Sequence, residues 1–196
     1  MPRGVVFLPV LVLLAVGCFG GGGGAKSISA ANGESLVLAQ SDVGSEFRQF
    51  DRGSQKLSDL SPPRDDLNRL GRKGGWKARF SRPGTRTTDG PLVISSLADL
   101  FSSETQARGD FDLYKLSLSE FETAGGKPVV SDEPFADDFD AVTYRQGLPP
   151  NAVRYYVIAW REGTVTASVN VSGFKLTWEQ AVALAQKQDR RIRAAQ

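Results

Sequence analysis

The side chains this sequence lacks narrow its chemistry as much as those it has. Among 196 residues there is no histidine, a single cysteine (Cys18) and a single methionine. Ser-His-Asp and Cys-His nucleophile systems, histidine-ligated zinc and histidine pH switches are excluded, as is a disulfide within the chain. What remains is carboxylate, lysine and arginine chemistry. Asp132, Glu133, Asp137, Asp138 and Asp140 form an acidic cluster whose oxygens would suit calcium, but the Asp-x-Asp-x-Asp-Gly spacing of an EF-hand is absent. Carboxylates without such spacing are expected to stay solvated, and nothing sets two of them across a cleft for glycoside hydrolysis. The expectation is therefore a non-enzymatic protein with neither metal nor cofactor, because an enzyme would need a carboxylate or lysine mechanism that no spacing supports.

Charge offers a second kind of chemistry. The total is only +2, from 24 basic and 22 acidic residues, so nucleic acid is not an expected partner. The charge is nevertheless segregated: Glu46 to Arg86 carries eleven basic residues against five acids, and Glu104 to Asp140 carries ten acids against three bases. Within the basic stretch Arg72, Lys73, Arg79 and Arg82, with Trp76 as an aromatic contact, form a candidate ligand site for an anionic envelope polymer or lipid headgroups. Strand alternation aims Lys77 and Arg79 away from Trp76, so the cations and the ring serve different faces. The plainer reading of both charged stretches is two solvated surfaces. Trp76, Trp160 and Trp178 are expected in the core, with a ligand cleft between sheet and helices as the other use of such rings. Asn170-Val171-Ser172 has the form of a glycosylation sequon, placed in a strand.

Cys18 has a context of its own. Met1-Pro2-Arg3 is a short basic start, and Val5 to Val16 is apolar but too short to span a bilayer, which takes about 20 residues. Ala15-Val16-Gly17-Cys18 then resembles a lipobox, in which a signal peptidase cuts before a cysteine that becomes lipidated. Gly20 to Gly24 reads as a flexible tether, since no Gly-Lys-Ser/Thr follows it to make a phosphate loop. The other reading is an ordinary secretory signal cut near Ala25, with Cys18 discarded.

The elements that position these groups follow from periodicity. Hydrophobic residues make up 40% and charged residues 23%, the balance of a folding chain. Apolar patterning begins near Leu36, and Phe47 to Arg52 reads as a short strand. Ser61 to Gly71 has a serine cap, early prolines and a terminal glycine, which predicts a helix. Trp76, Ala78 and Phe80 alternate with Lys77, Arg79 and Ser81 in a half-buried strand, followed by a second strand over Leu92 to Leu100. Ser103 and Gln106 have capping-box spacing, and Ala107, Phe111, Tyr114, Leu118 and Phe121 form one face of a helix that ends near Gly125-Gly126. Gly109 is expected to let its first turns fray. Asp138 to Arg145 and Val153 to Arg161 read as strands, and Glu162-Gly163 turns the latter into Thr164 to Ser172. A closing helix is capped by Thr177 and Gln180 and carries Ala181, Leu184, Ala185 and Ile192 on its apolar stripe. Together these predict an α+β fold, an antiparallel sheet with two or three helices packed mainly on one face.

The run Gly71-Arg72-Lys73-Gly74-Gly75-Trp76, the segment from Ile94 to Leu118, Ser131-Asp132-Glu133-Pro134-Phe135, Trp160-Arg161-Glu162-Gly163-Thr164-Val165 and Ala183 to Ile192 together resemble a broad group of bacterial extracytoplasmic lipoproteins. Ser131, Pro134 and Thr164 stand where that group has glycine, alanine and asparagine. The pattern also resembles, more distantly, extracellular sensor domains of bacterial serine/threonine kinases, which carry disulfides that this chain cannot form. The resemblance carries over no catalytic residue. It implies a signal peptide over residues 1–17, a lipidated Cys18 with a tether over 18–35, and one α+β domain over 36–196. The expected function is that of a membrane-anchored extracytoplasmic binding or sensory module with an unspecified protein partner. The alternative is a carrier of an apolar, lipid-like ligand held between sheet and helices.

Overall fold

The computed structural model describes residues 28–56, 71–130 and 135–196. The signal core, Cys18, the glycine run, the helix expected over Ser61 to Gly71 and Ser131 to Pro134 fall wholly or almost wholly outside the described residues.

Among the described residues seven strands form one antiparallel sheet: β1 (Arg48–Ser54), β2 (Arg72–Ser81), β3 (Val93–Phe101), β4 (Lys127–Pro128), β5 (Asp138–Gln146), β6 (Val153–Glu162) and β7 (Val165–Gly173). Their spatial order is β1-β2-β3-β7-β6-β5-β4. The β6–β7 hairpin pairs Glu162 with Val165, so the turn residues are Gly163 and Thr164, one place later than the sequence suggests. Gly163 has φ 55°, a conformation that glycine supplies without strain and that matches the twist of a tight hairpin. The helices are α1 (Gln40–Val43), α2 (Glu104–Thr123) and α3 (Trp178–Ala195), with a 3-10 segment over Ala30–Leu36. The capping box expected at Thr177 and Gln180 forms in full, and of the one expected at Ser103 and Gln106 the serine half forms. The Ser103 hydroxyl accepts from the amide of Gln106, and Thr177 and Gln180 cap each other reciprocally. α2 runs unbroken from Glu104, and Gly109 does not interrupt it.

The α+β class is as expected, and the two faces of the sheet are covered differently. α3, α1 and the 3-10 segment lie on one face, while α2 alone covers part of the other. On the α3 face the alternating residues of β2, β3, β6 and β7, among them Phe80, Ile94, Trp160 and Val169, close against Leu184, Ala185 and Ile192. Trp160 is fully buried. Residues ahead of Leu36, read from sequence as tether, take part in this packing: Ile28 is buried and Gly33 lies against Trp76. A Cβ on Gly33 would fall 1.7 Å from Cε2 of Trp76, so only glycine lets the segment cross the ring.

A polar chain runs through this core. The amide of Leu38 donates to Ser96 Oγ (2.9 Å), Ser96 donates to Gln188 Oε1 (2.6 Å), and Gln188 Nε2 donates to the carbonyl of Leu97 (2.8 Å). Gln188 is fully buried with both ends of its amide satisfied, so the N-terminal segment, the sheet and α3 are held in one register.

Candidate functional site

The five residues read from sequence as an anion-binding group do not form one basic face. Arg72 sits on a two-residue irregularity of β2, donates from Nε to Asp99 (2.6 Å) and from a terminal nitrogen to the carbonyl of Gln55, and its side chain is only 10% exposed. Arg79 lies 3.2 Å from Asp51, an acid it shares with Lys77. Arg82 donates to the carbonyls of Pro91 and Asp89 and stands over the ring of Phe47. Trp76 is in the α3-face core, and Lys73 is exposed. The acidic stretch is similarly engaged: Asp137 and Asp138 both contact Arg161, whose side chain is 5% exposed. The hydrogen bond from Arg161 holds the Asp138 carboxyl below the usual aspartate value, against the opposing pull of burial. Among the described residues no group of three or more histidine, cysteine or acidic side chains could hold a metal.

The α2 face holds the more organised chemistry. Because the strands pair in register, its side chains line up in rows across the sheet. The row beside the β6–β7 hairpin runs Asp99, Thr166, Arg161, Asp138. It is knitted together by the Arg72–Asp99 and Arg161–Asp138 pairs and by Thr166 donating to buried Asp110 on α2. Four residues farther along each strand, the row runs Asp51, Arg79, Ser95, Asn170, Val157. Here α2 no longer sits flush, and a cleft of about 420 Å3 opens between helix and sheet, within the roughly 300–1,000 Å3 range of small-molecule sites.

Its floor is Ser95, Ser168 and Asn170, and its helix side is Tyr114, Ser117, Leu118 and Phe121. The remaining wall is aromatic. Phe121 stacks on Tyr144 at 5.3 Å and 10°, and Tyr144 stacks on Tyr155 at 4.8 Å and 1°. The second spacing equals the distance between neighbouring strands, about 4.7–4.9 Å. The stack therefore runs across the strands, from α2 through β5 and β6. It leaves the other face of Tyr155 turned toward β7, where Ser172 is its cross-strand neighbour. Burial, with Tyr155 adding to it, raises the Tyr144 hydroxyl above its ordinary value, so it stays a neutral donor. Tyr114 Oη and Ser168 Oγ are 3.4 Å apart, and Asn170 Oδ1 is buried without a hydrogen-bond partner from the protein. Arg79 is the single ionic residue among the described residues lining the cleft, and it is already paired with Asp51.

No family model matches the chain, and no curated protein does. A solved structure does. The fold is similar to that of the extracellular domain of PknH from Mycobacterium tuberculosis, with a TM-score of 0.61 over 86% of this chain and 98% of that one, at 13% identity. The resemblance to extracellular sensor domains drawn from the sequence is thus met at the level of the fold.

Of the cleft residues, sequence reading singled out Arg79 as a ligand contact, placed Tyr114, Leu118 and Phe121 on the helix's apolar stripe, and noted Asn170 in a sequon. Ser95, Ser168 and the Tyr144–Tyr155 pair were missed, since polar residues alternating with apolar ones in a strand read as solvent-facing. A signal was present. The polar positions of β7 are Thr166, Ser168, Asn170 and Ser172, all small and uncharged, whereas a solvated strand face more often carries lysine or glutamate.

Proposed function

We propose that the protein is a membrane-anchored extracytoplasmic module, binding or sensory rather than enzymatic, that holds its ligand in the cleft between α2 and the sheet. The observation that carries this reading is the cleft itself: an aromatic wall, a floor of uncharged polar side chains, and a buried acceptor, Asn170 Oδ1, that the protein leaves unmatched. An unmatched buried acceptor costs about 1–3 kcal/mol, which a ligand donor would recover. Similarity to an extracellular domain supports the extracytoplasmic side of the reading, and the lipobox-like Ala15-Val16-Gly17-Cys18 supports the anchor. No helix among the described residues is long and apolar enough to cross a membrane. Anchoring in this reading rests on Cys18.

A carrier of an apolar ligand is the second reading, favoured by Leu97, Leu118, Phe121 and Val157 in the lining. It ranks second because Ser95, Ser168 and Asn170 would be desolvated against a ligand unable to bond them.

The test has two arms in a bacterial host. Cys18→Ala should move the protein from the detergent phase to the aqueous phase, and equal partitioning of variant and wild type contradicts the anchor. Ser117→Trp places a large ring in the cleft. Fractionated envelope extract should raise the Tm of the wild type and leave that of Ser117→Trp unchanged; equal shifts, or none, contradict the cleft.

A further inference from the structure

We infer that the cleft takes an uncharged carbohydrate, an inference that rests on the cleft being the ligand site. Four features of the lining select this class together.

The first is hydroxyl and amide density without free charge. Ser95, Tyr114, Tyr155 and Ser168 bring hydroxyl groups, with those of Tyr114 and Ser168 3.4 Å apart; Ser117, whose proton goes to the carbonyl of Leu113, brings an acceptor, and Asn170 brings an amide that donates and accepts at once. A ligand that satisfies such a surface must itself carry closely spaced groups of both kinds, as adjacent sugar hydroxyls do. The second is the ring of Tyr155, whose inner face is spent on Tyr144 and whose other face is turned toward β7. An aromatic face carries negative charge density and attracts the weakly positive C–H groups on one side of a pyranose or furanose ring. The third is Asn170 Oδ1, an acceptor with no protein donor, two residues along the strand from Ser172, which faces Tyr155. A sugar laid on that ring would present a hydroxyl edge to the amide.

The fourth feature separates carbohydrate from the anionic ligands that the basic composition suggests. Arg79 is the cation of the lining, and its guanidinium already meets Asp51 at 3.2 Å. An anion would have to compete with that carboxylate, whereas a hydroxyl can accept from a guanidinium that keeps its acid partner. An aliphatic chain fits less well still, because the floor of Ser95, Ser168 and Asn170 would be buried against methylene groups with nothing to bond.

The experiment is calorimetric titration of the full chain, purified in a sugar-free detergent, with neutral oligosaccharides of glucose, mannose, arabinose and N-acetylglucosamine, and separately with palmitate and with inorganic phosphate. The expected result is binding of at least one oligosaccharide with an affinity indifferent to salt. Tyr155→Leu and Asn170→Ala, shown to be folded by their melting curves, should each weaken that affinity at least tenfold. Sugar binding that both variants leave unchanged overturns the inference. So does palmitate or phosphate binding, abolished by Ser117→Trp, with no sugar bound; in that case the cleft remains the ligand site and the carbohydrate class alone falls. Binding of none of the probes also overturns it.

Discussion

The sheet has two working faces, and they are built to different rules. On the α3 face, large apolar side chains interlock, and the polar chain Leu38–Ser96–Gln188–Leu97 that runs through them is fully bonded. On the α2 face, rows of serine, threonine, asparagine and arginine cross the strands, and a single helix covers them unevenly. Under the N-terminal half of α2 the polar row is engaged by ion pairs and by Asp110. Under its C-terminal half the row is left with a cavity and an unmatched acceptor. In the proposed reading, stability is concentrated on the face that large apolar side chains fill, and recognition is placed where burial stops short.

The contrast is most easily broken from the α3 side. Trp160 is fully buried, so Trp160→Ala should destabilise the fold by about 3–5 kcal/mol, measured by denaturant melting. Gln188→Leu preserves volume but strips the Ser96 hydroxyl and the Leu97 carbonyl of their partner, and about 1–3 kcal/mol should be lost. If either loss came out near zero, the α3 face would not be the stability-bearing face.

A smaller effect separates two carboxylates by sign. Asp138 on the α2 face is held below its ordinary value by the hydrogen bond from Arg161. Asp189 on α3 is raised by burial, against the pull of Arg193. A lowered native value means that the group's contribution to stability is present above the ordinary aspartate range and is lost as pH falls through the native value. A raised value means the reverse: the contribution is whole below the unfolded value and declines as pH rises through the native one. The stability of the wild type relative to Asp138→Asn should therefore shrink on acidification, while that relative to Asp189→Asn should grow. Chemical melts between pH 3 and 7, about the range in which carboxylates titrate, read both slopes, and two slopes of the same sign would remove the distinction.

The α3 face was legible in the sequence because its signals are periodic. Trp76-Ala78-Phe80 in β2, Val165 to Val171 in β7 and Ala181 to Ile192 in α3 each repeat at the spacing of their element, and the Ser103 and Thr177 caps mark where the helices start. The α2 face was less legible because its chemistry depends on register between strands far apart in sequence. Arg79, Ser95 and Asn170 become neighbours only when β2, β3 and β7 pair antiparallel in one order, and no local pattern encodes that order. The basic run is divided for a related reason. Arg72 and Arg79 read as a shared patch by proximity in sequence, yet Asp99 and Asp51, on neighbouring strands, engage them separately.

The central claim is that the α2 face, and not the α3 face, is where this protein meets its ligand. Amide chemical-shift mapping of the full chain during titration with the neutral oligosaccharide panel tests it directly. The account expects the largest shifts at Ser95, Ser117, Tyr155, Ser168 and Asn170, with Ala181 to Ile192 unmoved. Shifts concentrated on α3 and the 3-10 segment, or spread evenly over the exposed lysines and arginines, would contradict it.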